Sequence, residues 1–240
     1  NDFSISEKDF RNYLQAVEAN YQSNPYHNYL HAIEVTHFIY LLDQKLCLST
    51  YLTKTQRFAL FLAALNHDIA HPGKSAIYQK NLLTDIYEKY GEGSTLEKYH
   101  IDVAFALLED PEWSILPKND SKHIKEFMEK IILATDMQKH QYYMDFCADK
   151  NHPKDLRAAI IAMKSADLSQ LLRGKEISEK WVFRLRKELY LEKIQNLSQN
   201  GSDFLRESDF ILQESQSQKN FIEKFAYPVY SLLESFYTEI

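Results

Sequence analysis

Two histidines, His27 and His31, stand four positions apart in Tyr26-His27-Asn28-Tyr29-Leu30-His31. On a helix such a pair shares one face, one turn apart. Imidazoles at this spacing can both bind a metal, or one can bind while the other donates a proton. They can also be surface or capping residues with neither role. A second cluster is Asn66-His67-Asp68-Ile69-Ala70-His71-Pro72-Gly73, directly after the apolar run Phe58 to Leu65. Adjacent His and Asp at the end of a buried helix put a neutral nitrogen and an anionic oxygen at one spot. That donor pair suits Zn²⁺, Mg²⁺, Mn²⁺ or Fe, and the carboxylate can bridge two ions. His71 is placed to contact a metal-bound water. The competing reading is a helix C-terminus stabilised by His charge and stopped by Pro-Gly.

Further candidates are weaker alone. Asp167, in Ala166-Asp167-Leu168-Ser169, follows an apolar segment and is either a fourth ligand or an ordinary helix-end Asp. Glu97 precedes His100 by three residues, but Ser94-x-x-Glu97 also reads as a capping box. Thr135-Asp136-Met137, with His140 beyond, closes another helix. His37, His123 and His152 join no pattern.

These residues need elements to position them, and the periodicity is helical throughout. Phe10, Tyr13, Leu14, Val17 and Tyr21 share one helix face after a capping box at Ser4 and Glu7. Further helices are predicted over Asn28–Leu42, Lys54–Asn66, Asn81–Tyr90, Ser94–Leu108, Ser121–Lys139, Pro153–Lys164, Glu179–Gln195 and Ser217–Phe236. Asn196 to Gln216 reads as a long surface loop. No stretch alternates long enough to make a strand. Only 5 Gly and 6 Pro occur in 240 residues, which disfavours a turn-rich β fold. The expected fold is all-α, compact and multi-helical, with residues 1–240 as a single domain.

The remaining composition excludes several classes. Net charge is −6, whereas a nucleic-acid binder would show a basic face. The longest apolar run is far below the roughly 20 residues that span a membrane. Two cysteines fit a reducing compartment, so a cytoplasmic protein or an excised domain of a larger one is expected.

His-x3-His, then His-Asp, then a distant Asp on a helical scaffold is similar to the HD-type metal-dependent phosphohydrolases. More closely, the chain resembles the catalytic domain of the class I (mammalian-type) cyclic-nucleotide phosphodiesterases. The resemblance runs from Tyr26 to about Tyr230. It is carried, in order, by Tyr26-His27-Asn28-x-x-His31-Ala32, His67-Asp68-x-x-His71-Pro72-Gly73, Leu96-Glu97, Ile132 to Met137, Ala166 to Ser169, Trp181, and Gln218-x-x-Phe221-Ile222. It implies the compact HD-type fold and metal-dependent hydrolysis of cAMP or cGMP to the 5′-monophosphate. It implies two divalent ions, Zn²⁺ and Mg²⁺ or Mn²⁺, with His31, His67, Asp68 and Asp167 as ligands of the first and Asp68 bridging to the second. His71, Glu97 and Thr135 would orient waters around the ions. A bridging hydroxide would attack phosphorus, and His27, held by Glu97, would protonate the leaving O3′. Gln218 would read the purine edge, with Phe221 and Leu185 clamping the base beside Tyr26. Regulatory domains or a homodimer would accompany such a domain.

The chain departs from the family pattern at Ala70, Ala76, Tyr99, Gln170-Leu171, Tyr190 to Ile194 and Lys219-Asn220. Only 25 residues precede Tyr26, so the helical cap is expected to be short or trimmed. Two other readings stand beside the phosphodiesterase. One is a different HD-type nucleotide phosphohydrolase, against which Gln218 and Phe221 argue. The other is a degenerate nucleotide-binding or scaffold domain, against which the complete ligand set and His27 argue.

Overall fold

The computed structural model describes residues 3, 5–200 and 215–238. Ser6 caps the first helix, and Ser4 of the expected capping box lies outside the described residues. The Ser6 hydroxyl accepts the Asp9 N–H at 3.0 Å, and α1 runs Glu7–Asn20. α2 (Tyr29–Leu46) begins at its cap Asn28, and α3 (Lys54–Asn66) begins at a reciprocal capping box of Thr53 and Gln56. Among the described residues all regular structure is helical.

The helix predicted over Asn81–Tyr90 starts later, as α5 (Asp85–Tyr90) capped by Thr84, and a separate short helix not predicted, α4 (Ala76–Asn81) capped by Ser75, precedes it. α6 (Thr95–Glu109) starts after Ser94, but not through a capping box. Ser94 has φ 53°, and its hydroxyl donates to Asp136 at 2.7 Å. Glu97 therefore owes its position to something other than capping. α7 (Ser121–Leu133) stops well short of Lys139. Its last carbonyls are satisfied from outside: Thr135 Oγ1 donates to Ile132 O and Lys164 Nζ to Ala134 O. α8 (His140–Ala148), α9 (Lys154–Asp167) and α10 (Lys175–Asn200) follow. α10 is longer at both ends than expected and absorbs the start of the predicted loop. The rest of that loop, up to residue 214, lies outside the described residues. The final predicted helix is interrupted: α11 (Ser215–Phe221), a π-turn (Ile222–Ala226) and α12 (Tyr227–Thr238).

The core lies where α2, α3, α7 and α9 meet. α9 is the axis. Ten consecutive residues from Arg157 to Ala166 are buried, so it contacts neighbours on every side. α2, α3, α7, α8 and α12 all pack on it. Ala158, Ala159, Ala162 and Ala166 are fully buried, and their small side chains let those helices approach closely. Two buried tyrosines are hydrogen-bonded at the end of α3. Tyr13 accepts from Asn66 Nδ2 at 2.8 Å, and Tyr21 donates to Leu65 O at 2.9 Å. Both bonds fix the end of α3, where His67 begins. Among the described residues no helix is long and apolar enough to cross a membrane.

Filling the space around α9 should be penalised. Ala162→Leu is expected to cost about 1–3 kcal/mol, read as a lower urea midpoint at unchanged slope.

Candidate metal centre and adjoining cavity

Three helix ends converge on one point. His31 sits in the first turn of α2, where Asn28 Oδ1 accepts its N–H at 3.2 Å. His67 and Asp68 follow α3 directly, and Asp167 is the last residue of α9. The buried apolar faces of α3 and α9 draw both ends into the interior, and Ile69, fully buried, anchors the turn after Asp68. Ala70 takes the left-handed conformation at φ 58°, a strained choice for a residue with a Cβ, and this turns the chain back so that His71 faces the site.

The ligand-type atoms of His31, His67, Asp68 and Asp167 all lie within 4.8 Å of one another. His31 Nε2 is 3.1 Å from Asp167 Oδ1 and 3.5 Å from Asp68 Oδ2. His67 Nε2 is 3.0 Å from Asp68 Oδ2 and 3.4 Å from Asp167 Oδ1. Residues 136 positions apart thus meet at one spot. His67 Nδ1 donates to Ala64 O at 2.9 Å, which orients the ring and leaves Nε2 as the nitrogen facing the carboxylates. That buried Nε2 has no hydrogen-bond partner in the protein.

Electrostatics also fit a cation here. Burial alone would push the Asp68 and Asp167 carboxyls up. The charge on His67 and His27 instead holds Asp68 well below the ordinary range, and the hydrogen bond from His31 with the charge on His67 holds Asp167 low. The same field acts on His67: burial disfavours its charge, but Asp68 and Asp167 outweigh burial and raise it well above an ordinary histidine. Two carboxylate oxygens of partly buried Asp68 and Asp167 and two nitrogens of buried His31 and His67, all converging on one point, are a donor set for a divalent ion.

The cavity in front of this quartet, about 270 Å³, is lined by His27, His71, Glu97, His100, Thr135 and Asp167 among others. His71 Nδ1 accepts the Gly73 N–H at 3.0 Å, so its Nε2 carries the proton and is a donor rather than a ligand. Burial, then the charge of His27, holds His71 well below its usual value and keeps it neutral. His100 donates Nδ1 to Ile69 O at 2.7 Å and leaves Nε2 3.9 Å from Asp68 Oδ1. Burial lowers His100 to about 4. Thr135 spends its proton on Ile132 O, so its oxygen can only accept from the cavity. Burial, then Asp136, pushes the Glu97 carboxyl up to about 8.

Glu97 does not hold His27, which corrects the expectation. His27 Nδ1 meets Glu188 Oε1 at 2.5 Å, and Glu188 Oε2 accepts the N–H groups of Tyr26 and His27 at 2.9 and 3.0 Å. The reason is spatial: α10 passes over the Tyr26–His27 loop, while the charged neighbours of Glu97 are Asp136, Asp68 and Lys139. Glu188 sits in a helix dense with charges, and nothing in its local sequence marks it. Asn24 was equally unmarked. Its Nδ2 donates to His27 O at 2.9 Å and His71 O at 2.7 Å, tying the two loops together. Their rings stack at 4.0 Å between centroids.

Beside the metal cavity lies a second one of about 240 Å³, lined by Tyr26, Gln170, Trp181, Leu185, Gln218 and Phe221 among others. All four expected base-site residues therefore border one space. Gln170 Nε2 bonds to Tyr26 Oη. The Tyr26 ring, which borders this second cavity, lies 4.8 Å from both His27 and His31. A larger open groove of about 980 Å³ between residues 23–28 and α10 contains none of the ligand residues.

Residues 26–240 match the family described as 3′5′-cyclic nucleotide phosphodiesterase. The chain is 32% identical over 250 residues to the cGMP-specific 3′,5′-cGMP phosphodiesterase 3 of Dictyostelium discoideum, covering 98% of this chain and 53% of that protein. It is 34% identical over 201 residues to the human high affinity cGMP-specific 3′,5′-cyclic phosphodiesterase 9A, covering 80% of this chain and 34% of that protein. The chain thus spans between a third and about half of these relatives. In structure it matches the phosphodiesterase domain of the Salpingoeca rosetta rhodopsin phosphodiesterase, with TM-score 0.88 and 24% identity over 100% of this chain and 77% of that one.

The tie between the two loops can be tested directly. Asn24→Ala leaves two carbonyls without their donor and should cost about 1–3 kcal/mol. Gly73→Ala should act in the same direction. Gly73 has φ +65°, and an added Cβ would lie 2.6 Å from Asn24 Oδ1. Chemical denaturation measures both.

Proposed function

The chain belongs to the 3′5′-cyclic nucleotide phosphodiesterase family, and from that membership we propose that it hydrolyses a 3′,5′-cyclic nucleotide, cAMP or cGMP, to the nucleoside 5′-monophosphate. One observation carries the reading. A divalent-ion donor set lies on one side of Tyr26, and a cavity bordered by Gln218, Phe221 and Leu185 lies on the other. Metal chemistry alone does not call for the second cavity, and a base-binding scaffold does not call for the first. Residues 1–240 are read as one catalytic domain. Two relatives are named for cGMP, which makes it the first substrate to test.

His31, His67, Asp68 and Asp167 would hold the first ion, Zn²⁺, and Asp68 would share its carboxylate with a second, Mg²⁺ or Mn²⁺. When bound, such ions neutralise a phosphodiester and acidify water near neutral pH. The protein's own groups do the rest. His71 Nε2–H and the Thr135 oxygen present one donor and one acceptor to water in the cavity. Glu97, raised towards neutrality, can hold or release a proton there. His27 has one nitrogen committed to Glu188 and the other free for the substrate. It would donate its proton to O3′ as the P–O3′ bond breaks. Gln218, with a side-chain donor and an acceptor, suits a purine edge. Phe221 and Leu185 offer apolar faces to the base, with Tyr26 at its edge.

Two experiments test this. Purified protein with Mn²⁺ or Mg²⁺ is given cGMP and cAMP, and 5′-monophosphate release is followed. Asp167→Ala should lose both bound metal and turnover. His27→Ala should keep its metal and lose about 10²–10⁴-fold in kcat, the range for a general acid. No product from either nucleotide with the wild type would overturn the reading.

The second concerns pH. Burial lowers the His27 pKa, but Asp68 and Glu188 outweigh burial and raise it above the usual value. An acid must be protonated to act, so activity is present below this raised pKa and falls as pH rises through it. Glu188→Gln removes one of the charges that raise it. The alkaline limb of the kcat profile should therefore move to lower pH, with metal content unchanged.

A further inference from the structure

Glu192 lies one helical turn beyond Glu188 on α10 and holds the second loop of the site. Its Oε2 accepts the Ser75 N–H at 2.6 Å, and its Oε1 accepts the Ser75 hydroxyl at 2.6 Å. Ser75 Oγ in turn accepts the Tyr78 N–H at 3.2 Å and so caps α4. Both oxygens of one carboxylate are thus spent on one residue, a bidentate grip with charge-assisted bonds. Ser75 follows His71-Pro72-Gly73 and, with Ala76 and Ile77, lines the metal cavity. Lys74 lies in the field of both Glu192 and Glu188 and partly offsets their charge. Glu192 does not itself line that cavity.

The spacing on α10 gives the arrangement its logic. Trp181, Leu185, Glu188 and Glu192 fall at i, i+4, i+7 and i+11, on a single face. Trp181 packs edge-on against Tyr26 at 5.6 Å, Leu185 borders the second cavity, Glu188 holds the His27 loop, and Glu192 holds the His71 loop. One rigid helix therefore sets the distance between the residue proposed as the acid and the wall across the cavity from it.

We propose that Glu192 is a positioning residue for the hydrolysis, fixing the 72–77 segment against α10 so that the cavity wall keeps its place relative to His27. This rests on the phosphodiesterase reading above. Displacing a wall of a reacting site by about 1 Å can cost up to roughly 100-fold in rate.

The test uses the full chain. Glu192→Ala should lower kcat/KM by about 10- to 100-fold, with metal content and melting temperature near wild type. The Ser75 amide should exchange with solvent at least about tenfold faster, while α3 and α9 amides keep their protection. Glu192→Gln retains an acceptor for the Ser75 N–H and should recover most of the activity. Glu179→Gln, on an exposed face of the same helix, should change nothing. Ser75→Ala removes one of the two bonds, so its effect should be smaller and not additive with Glu192→Ala. Wild-type kcat/KM in Glu192→Ala, or additivity in the double mutant, would overturn the inference. So would a loss of activity that tracks lost metal or a melted fold. If the wild type hydrolyses neither nucleotide, the functional reading falls by itself. Unchanged Ser75 exchange in Glu192→Ala would then still count against the clamp.

Discussion

Asp68 and Asp167 are partly buried carboxylates brought to one point, and the rest of the structure follows from that. Burying like charges together is costly unless positive charge compensates them. The helix ends sharpen the demand, because α3 and α9 both point their C-termini, with unsatisfied carbonyls and negative dipole ends, at the same place. The field raises His67 far above an ordinary histidine, and it is the field a divalent cation requires. An assembly that would fly apart in isolation must be held by something that cannot yield. Here that is α9, whose buried alanines let α2, α3 and α7 close around it.

The core secures the ligands on α2, α3 and α9, but His27 and His71 sit on loops and need separate restraint. Three devices supply it. Asn24 bridges the two loop carbonyls. The His27 and His71 rings stack face to face. The carboxylates of α10 accept loop N–H groups that would otherwise lie unpaired near the site. The last device adds negative charge to an already negative region. It does so productively, because Asp68 and Glu188 together outweigh the desolvation of His27 and raise it above an ordinary histidine, whereas burial prevails at His71 and His100 and holds both low. Three histidines around one cavity are thus shifted in different directions by their partners.

What the sequence disclosed divides by range. α3 runs over Lys54–Asn66 as its apolar run and the His67-Asp68 terminus place it, because those signals are local. The ligand residues stood out because His and Asp at helical spacing carry chemistry in their identities. Failures fell where a long-range partner overrode a local pattern. Ser94-x-x-Glu97 has the letters of a capping box, yet Ser94 turns its hydroxyl to Asp136, 42 positions away. α7 stops early because Lys164, from α9, takes the carbonyl of Ala134. Glu188 reaches His27 across 161 positions, and no short window contains that information. Its carboxylate looks like any other on a charged helix until α10 is laid over the loop.

Tyr26 shows why the two cavities are not independent. Its ring lies against His27 and His31 on one side and Trp181 on the other, and its hydroxyl is held by Gln170. Gln170 brings its amide to that hydroxyl, so a residue bordering the second cavity also restrains a ring packed on His31. Burial, reinforced by Asp167 and Asp68, holds the Tyr26 phenol well above its usual range, which keeps the hydroxyl protonated. Because that group stays neutral beside two anions, it can form part of the wall without adding charge. An ionised group in its place would repel both carboxylates. Neutrality of the Tyr26 hydroxyl therefore keeps further negative charge away from Asp68 and Asp167.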